Sequence, residues 1–137
     1  MEDNSKPIIR IAGIVIENDK ILLVKGRGYD YFWTPGGKLK DGESHEEALK
    51  REIKEEIGAD MIEAKFYKEY DGFSFFKPEQ KLNQMVYIAK IKGDIKPDME
   101  IEDFIWFSKE DFANKKYPIL PTHEGKIFVD LIKENIW

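Results

Sequence analysis

Residues 37–59 read GKLKDGESHEEALKREIKEEIGA, a glycine turn followed at once by a helix that gathers carboxylates on one side. Ser44 with Glu47 three residues on is a capping box, and Gly58 stands where a helix is expected to stop. The spacing predicts a helix from His45 to Ile57. At about 100° per residue, Glu55, Glu52 and Glu56 fall near −60°, 0° and +40°, so they share a face. Leu49, Ile53 and Ile57 recur every four residues beside them and give the helix an apolar stripe to anchor it.

Three carboxylates so placed repel by roughly 3 kcal/mol per pair near 5 Å at an effective dielectric of about 20. Arg51 can pair with Glu55 at i,i+4, and Lys50 and Lys54 lie on the far side, but such surface pairs return only about 0.3–0.5 kcal/mol. A hard divalent cation offsets far more. An all-oxygen donor set suits Mg²⁺, Mn²⁺ or Ca²⁺, and Mg²⁺ commonly takes one or two carboxylates, waters and substrate phosphate oxygens. Taken alone, the helix also reads as a solvated amphipathic surface, because Glu and Lys fill such surfaces everywhere. The flanking residues decide between the two.

Gly37, Glu43, Arg51, Glu52, Ile53, Glu55, Glu56 and Gly58 match the Nudix box, GX5EX7REUXEEXGU, in type and spacing. Seven fixed positions agree by chance about once in 10⁸ per register. Only Ala59, where a bulky aliphatic residue is usual, departs, and that touches helix-exit packing without touching chemistry. Ahead of the box, Phe32 to Gly37 read FWTPGG, like the WxxPGG that often precedes it. The chain thus resembles the Nudix hydrolase family in its small MutT-like form over most of its length.

The resemblance implies an α/β/α sandwich with a mixed sheet between helices, and it implies roles. Glu52, Glu55, Glu56 and the Gly36 carbonyl would be metal ligands, with Mg²⁺ or Mn²⁺ as the cofactor. Arg51 would orient the glutamates, with Glu43 paired to it or reaching the metal through water. Glu52 is also a possible base, and because the base in this family varies, Glu100, Glu102 and Asp103 are the candidates outside the box. Lys38 follows the glycines as in the branch that hydrolyses nucleoside triphosphates; it reads as a phosphate contact or as a plain exposed lysine.

The implied reaction is hydrolysis of a diphosphate linkage by water. Phosphorus there is ringed by negative oxygens that repel hydroxide, so the site must supply positive charge and align the water. The leading substrate is a nucleoside triphosphate, canonical or oxidised, giving a monophosphate and pyrophosphate. ADP-ribose, a sugar nucleotide or a dinucleoside polyphosphate is the alternative, although neither the downstream proline nor the tyrosine that marks those subgroups stands out. A nucleotide-sensing module without catalysis is a third reading, which the intact set of box glutamates disfavours; a partner-binding domain is the fourth. Phe73, Phe75 and Phe76 offer rings to stack on a base or to fill a core. Trp33 and Tyr31 are similarly double in meaning. Lys25 and Arg27 are phosphate contacts or solvated loop cations, and no role falls to His45 or His123.

The remaining features narrow the class. A chain of 137 residues fits one domain, 1–137, with a core large enough to need no staples. With no cysteine, disulfides and thiolate zinc sites are excluded, which is compatible with a reducing, cytoplasmic setting. The start MEDNSKPIIR lacks the basic and apolar regions of a signal peptide, and no apolar run is long enough to span a bilayer. A net charge of −5 argues against long nucleic acid as partner, leaving a small nucleotide screened by metal. Many Nudix proteins pair, so a homodimer is possible here.

Along the chain, Ile8–Ile16 and Ile21–Lys25 read as a hairpin around Glu17–Lys20. Gly26–Tyr31 reads as a loop leading to a short strand and turn at Phe32–Gly37. Ile62–Tyr70 and Phe73–Phe76 read as strand material broken at Asp71 and Gly72. Gln84–Ile91 and Ile101–Phe107 are further strands separated by a polar connection, Lys92–Met99, and Ser108 with Asp111 offers a second cap. His123–Asn135 reads as a helix, with Thr122 as its cap.

Overall fold

The computed structural model describes residues 6–98 and 100–137. The first five residues of the polar N-terminal stretch, and Met99 at the end of the expected connection, lie outside them. Strand β1 (Ile8–Glu17) turns through Asn18 and Asp19 into β2 (Lys20–Gly26). Both turn residues have positive φ, 51° and 61°, the geometry that matches the twist of a two-residue hairpin and that Asn and Asp tolerate best after glycine. Short strands β3 (Phe32–Trp33) and β4 (Gly36–Lys38) precede helix α1 (His45–Ile57). Long strands β5 (Asp60–Phe73) and β6 (Lys81–Lys92), then β7 (Ile101–Phe107), α2 (Lys109–Ala113) and α3 (Glu124–Lys133) complete the order.

β1 is the spine. Along one edge it pairs in parallel with β6, from Ile8 with Leu82 to Val15 with Ala89. On its other edge β4 pairs with Arg10 to Ala12, and β2 pairs only with Ile16 and Glu17. With β4 occupying that edge, β2 turns away and pairs with β7 and β3 instead. The sheet therefore parts beside β4.

Strand alternation distributes the aliphatic residues to two sides. Ile11, Val15, Leu22 and Val24 pack with Leu49, Ile53 and Ile57 of α1, whereas Ala12, Ile14, Ile21 and Leu23 pack with Ile127, Phe128 and Leu131 of α3. The expected α/β/α sandwich with a mixed sheet is what forms. α1 has the expected bounds: both halves of the Ser44–Glu47 capping box are made, and the Gly58 N–H donates to the Lys54 carbonyl at 3.0 Å. The Ser108–Asp111 box caps α2 in the same way. Trp137 closes the second core, its ring against Phe107, Phe112 and Phe128 and its indole N–H donating to the Asp19 carbonyl at 2.9 Å.

Two local expectations are corrected. β5 does not break at Asp71 and Gly72: they stay in the ladder opposite Asn83 and Leu82, and the chain leaves the strand only after Phe73. Cross-strand pairing overrides the local turn signal, and Phe75 and Phe76 belong to a loop closed by the Ser74 N–H on the Gln80 carbonyl. The last helix starts at Glu124, with His123 in the capping position and no side-chain cap bond. His123 has helical φ and ψ of −87° and −14°, not the extended backbone that aims a capping side chain. His123, not Thr122, holds the capping position, and among the described residues the buried Thr122 hydroxyl has no hydrogen-bond partner.

Candidate active site

The parting of the sheet opens a cleft of about 890 Å³. Gly36, Gly37 and Lys38 of β4 and Glu52, Glu55 and Glu56 of α1 line it together. The helix supplies the acids because i, i+3 and i+4 share a face; the glycines let them come close to the backbone. A Cβ on Gly37 would lie under 3.0 Å from the carboxylate of Glu52, and Gly36 combines φ of 150° with the backbone of Ile11 at its back. The Gly36 N–H donates to Glu56 Oε1 at 2.8 Å.

Arg51 stands behind this wall, outside the cleft lining. Its Nε and Nη2 donate to the two oxygens of Glu43 at 2.7 and 2.9 Å, while Nη1 donates to Glu52 at 2.8 Å and to Glu55 at 3.3 Å. A guanidinium fork is the side chain suited to this, since its planar donors fit a carboxylate pairwise. Hydrogen bonding to Arg51 holds the Glu43 carboxyl down at about 2, and the same bond raises Arg51 further above its ordinary value. Half-buried Glu56 shows the opposite behaviour. Desolvation, reinforced by the charges of Glu52 and Glu55 and opposed by Arg10 and the Gly36 N–H, pushes it up to about 8.

This wall has the chemistry of a hard-cation site: oxygen donors alone, one of them an acid that its burial, and secondarily its acidic neighbours, keep from ionising. Among the described residues, no three acidic or histidine side chains close around a common point. The set fits an ion that brings waters and substrate phosphates as its remaining ligands better than a closed protein cage.

Of the other residues expected at the site, Arg27, Phe75 and Glu100 also line the cleft. The Arg27 N–H donates to the Glu100 carbonyl at 2.6 Å, tying those two loops together. Glu102 and Asp103 do not line it. Glu102 pairs with Lys25, which lowers its pKa and occupies that lysine, and Asp103 accepts the N–H of Phe104 at 2.7 Å. Phe75 and Phe76 are exposed, at 38% and 55%, so they are not core. Phe75, Phe76, Tyr29 and Trp33 form a chain of edge-on and tilted rings with centroids 5.1–5.6 Å apart along the cleft. Tyr31 meets Phe75 from outside the cleft lining, and Phe73 lies by a different hollow.

Sequence reasoning missed a polar group on the α3 side. Arg10, Gln84, Thr122 and Glu124 line the cleft there. Buried Glu124 accepts the Thr34 N–H at 3.0 Å, and Arg10 donates to the Thr34 carbonyl at 2.6 Å and to Gln84 at 2.9 Å. The signal was present: Arg10 and Gln84 are polar residues at core-facing positions of aliphatic strands. His123 belongs to the same group, against Gln84 Nε2 at 2.8 Å, whereas His45 meets the Tyr87 hydroxyl at 2.9 Å. No described helix is long and apolar enough to cross a membrane.

The NUDIX domain matches residues 7–127. The 8-oxo-dGTP diphosphatase of Buchnera aphidicola subsp. Schizaphis graminum is 32% identical over 134 residues, covering 90% of this chain and 92% of that protein. The ADP-ribose pyrophosphatase of Methanocaldococcus jannaschii is 44% identical over 55 residues, 38% of this chain and 32% of its own. In structure, the MutT protein of Methanosarcina mazei Go1 superposes with a TM-score of 0.80 at 25% identity, covering 95% of this chain and 96% of that one. Hydrolases of this kind generally use a divalent ion. With the domain match spanning the box, the sheet and the start of α3, the chain belongs to the Nudix family, as a hydrolase acting on phosphorus-containing anhydrides.

Proposed function

We propose that this chain, as one domain over residues 1–137, hydrolyses a nucleoside triphosphate, canonical or oxidised, to the monophosphate and pyrophosphate. The observation that carries the reading is one cleft joining three box glutamates to a row of aromatic rings. Its volume lies within the range usual for small-ligand sites.

In this reading Glu52, Glu55, Glu56 and the Gly36 carbonyl hold Mg²⁺, or Mn²⁺ in its place. Such an ion, when bound, neutralises phosphate oxygens and makes bound water a better nucleophile. Arg51 and Glu43 keep the glutamates in place, and Lys38 and Arg27 meet phosphate oxygens. Phe75 stacks on the base, while Thr122 and Glu124 hydrogen-bond to its edge. Water attacks phosphorus, its proton passes to a carboxylate, and the anhydride P–O bond breaks with its electrons leaving on the pyrophosphate oxygen. Glu52 and Glu100, both in the cleft lining, are the candidate bases.

A second reading keeps the chemistry and changes the leaving group to that of ADP-ribose, a sugar nucleotide or a dinucleoside polyphosphate; the match to an ADP-ribose pyrophosphatase supports it. A cytoplasmic setting suits the cysteine-free composition, and pairing of two chains is checked by sedimentation. Phosphate and pyrophosphate release from 8-oxo-dGTP, dGTP, ATP, ADP-ribose, a sugar nucleotide and a dinucleoside polyphosphate, with and without Mg²⁺, tests the reading. Metal-dependent turnover of a triphosphate supports it. Turnover of ADP-ribose alone favours the second reading, and silence of folded protein across the panel overturns both.

A further inference from the structure

Arg10 and Gln84 are register partners on the parallel strands β1 and β6, and strand alternation puts both on the side of the sheet that faces α3. Their hydrogen bonds can be assigned by elimination. Arginine only donates, so the oxygen of the Gln84 amide, and not its nitrogen, faces Arg10 Nη1 at 2.9 Å. The amide nitrogen then faces His123 Nδ1 at 2.8 Å. It too can only donate, so Nδ1 is the bare nitrogen, the ring proton sits on Nε2, and the ring bonds to the backbone of Asp71. Burial holds this imidazole below its ordinary pKa, which favours the neutral form that the arrangement needs. Each link dictates the next.

The donor end of this chain opens into the cleft. Among the described residues lining it, Arg10, Arg27 and Lys38 are the basic ones, and acids outnumber them. Arg27 and Lys38 are exposed, whereas Arg10 is half-buried and pinned at two points, to Gln84 and to the Thr34 carbonyl. A guanidinium has five N–H donors; with Nη1 also donating to the Thr34 hydroxyl at 3.4 Å, these contacts use three and do not engage Nε–H or the second Nη2 hydrogen.

We propose that Arg10 is a substrate-contacting cation that grips a phosphate oxygen of the bound nucleotide, and that Gln84 and His123 are positioning residues that aim it. This rests on the nucleotide-hydrolase reading above. The chain explains why polar side chains occupy three buried or half-buried places where aliphatic ones would pack, and it gives the α3 side of the cleft a fixed positive charge facing an otherwise acidic lining.

The test uses steady-state kinetics on 8-oxo-dGTP, or on ADP-ribose if that is the panel member turned over. Arg10→Ala is expected to raise KM roughly 10- to 100-fold, the scale of one charge-assisted hydrogen bond, with a smaller change in kcat. Arg10→Lys restores little, because one ammonium cannot span both acceptors. An unchanged KM overturns the contact. Binding of 8-oxo-dGMP against 8-oxo-deoxyguanosine, or AMP against adenosine, locates it: loss confined to the monophosphate supports a phosphate grip, and equal loss for both overturns it.

Gln84→Leu is expected to raise KM about as far as Arg10→Ala. Gln84→Glu should recover most of that loss, because a carboxylate also accepts from Arg10, but it forces His123 to donate from Nδ1. Long-range ¹⁵N–¹H NMR reads this directly, since His45 is the only other histidine. The wild-type His123 ring is expected as the Nε2–H tautomer, with Nδ1 protonated as well in Gln84→Glu; an Nδ1–H tautomer in the wild type overturns the positioning chain. Wild-type silence across the substrate panel overturns the hydrolase reading and the substrate contact together, and the tautomer still decides the positioning.

Discussion

Arg51 holds both carboxylate oxygens of Glu43 at 2.7 and 2.9 Å while its third nitrogen reaches Glu52 at 2.8 Å. One planar group thus bridges the loop before α1 and the wall of the cleft. Arg51→Lys keeps the charge but not the fork, so Glu52 loses its fixed bearing. Activity is expected to fall about 10- to 100-fold, the usual cost of removing a ligand's supporting contact. Mg²⁺ titration of kcat/KM checks it, and wild-type behaviour in the variant would remove Arg51 from the site.

The same pair gives the protein an acid-sensitive contact. The Glu43 carboxyl titrates at about 2 in the fold against 4.5 when unperturbed. A depressed carboxyl contributes stability that is fully present above the unfolded pKa and lost as pH falls through the folded one. Wild type should therefore exceed Glu43→Gln in urea resistance above about pH 4.5, with the difference shrinking toward pH 2. A gap that stays constant with pH would contradict the assignment.

Gly37→Ala places a methyl under 3.0 Å from the Glu52 carboxylate, which must swing off Arg51 to make room. The expected result is a loss of turnover of at least tenfold, the scale on which a displaced ligand or its support acts, with circular dichroism close to wild type. Full activity would mean that Glu52 does not need this bearing.

Glu56 reverses the sign. Its carboxyl is raised from 4.5 to about 8, so its contribution to stability is present below the unfolded pKa and is lost as pH climbs through the folded one. Chelator-treated wild type should lose Tm between pH 5 and 8 more steeply than Glu56→Gln does, and Mg²⁺ should flatten the wild-type slope. Parallel slopes in the two proteins would count against a strained, metal-seeking acid.

Glu55 is the most exposed of the three box acids, with 54% of its side chain accessible, so it contributes little to the fold. Glu55→Gln should abolish turnover with Tm within about 2 °C of wild type, the scale expected of a surface change. Chelation of the divalent ion should likewise stop wild-type turnover, restored on adding Mg²⁺. Persistent full activity in the variant would sink the site assignment.

The sequence told most about what is local. The α1 bounds, its cap and the hairpin turn follow from residues within a few positions of one another, and the box residues report their shared face through helical period alone. What it concealed depends on pairing between distant strands. Asp71 and Gly72 carry a local turn signal that the β6 ladder overrules. Arg10 and Gln84 stand 74 residues apart in the chain, so their partnership becomes visible only when β1 and β6 lie side by side. Thr122 has a capping residue's identity, but His123 takes the capping position one residue on.

The parting of the sheet beside β4 lets a single cleft reach both faces. Glutamates stand on the helix covering one face, and the Arg10, Gln84, Thr122 and Glu124 group sits toward the helix covering the other. On the proposed reading, substitutions at Thr122 or Glu124 would alter which base is accepted while the glutamates on the first helix are left as they are. Such a division allows the apparatus for cutting and the apparatus for choosing to diverge at separate rates within one small scaffold.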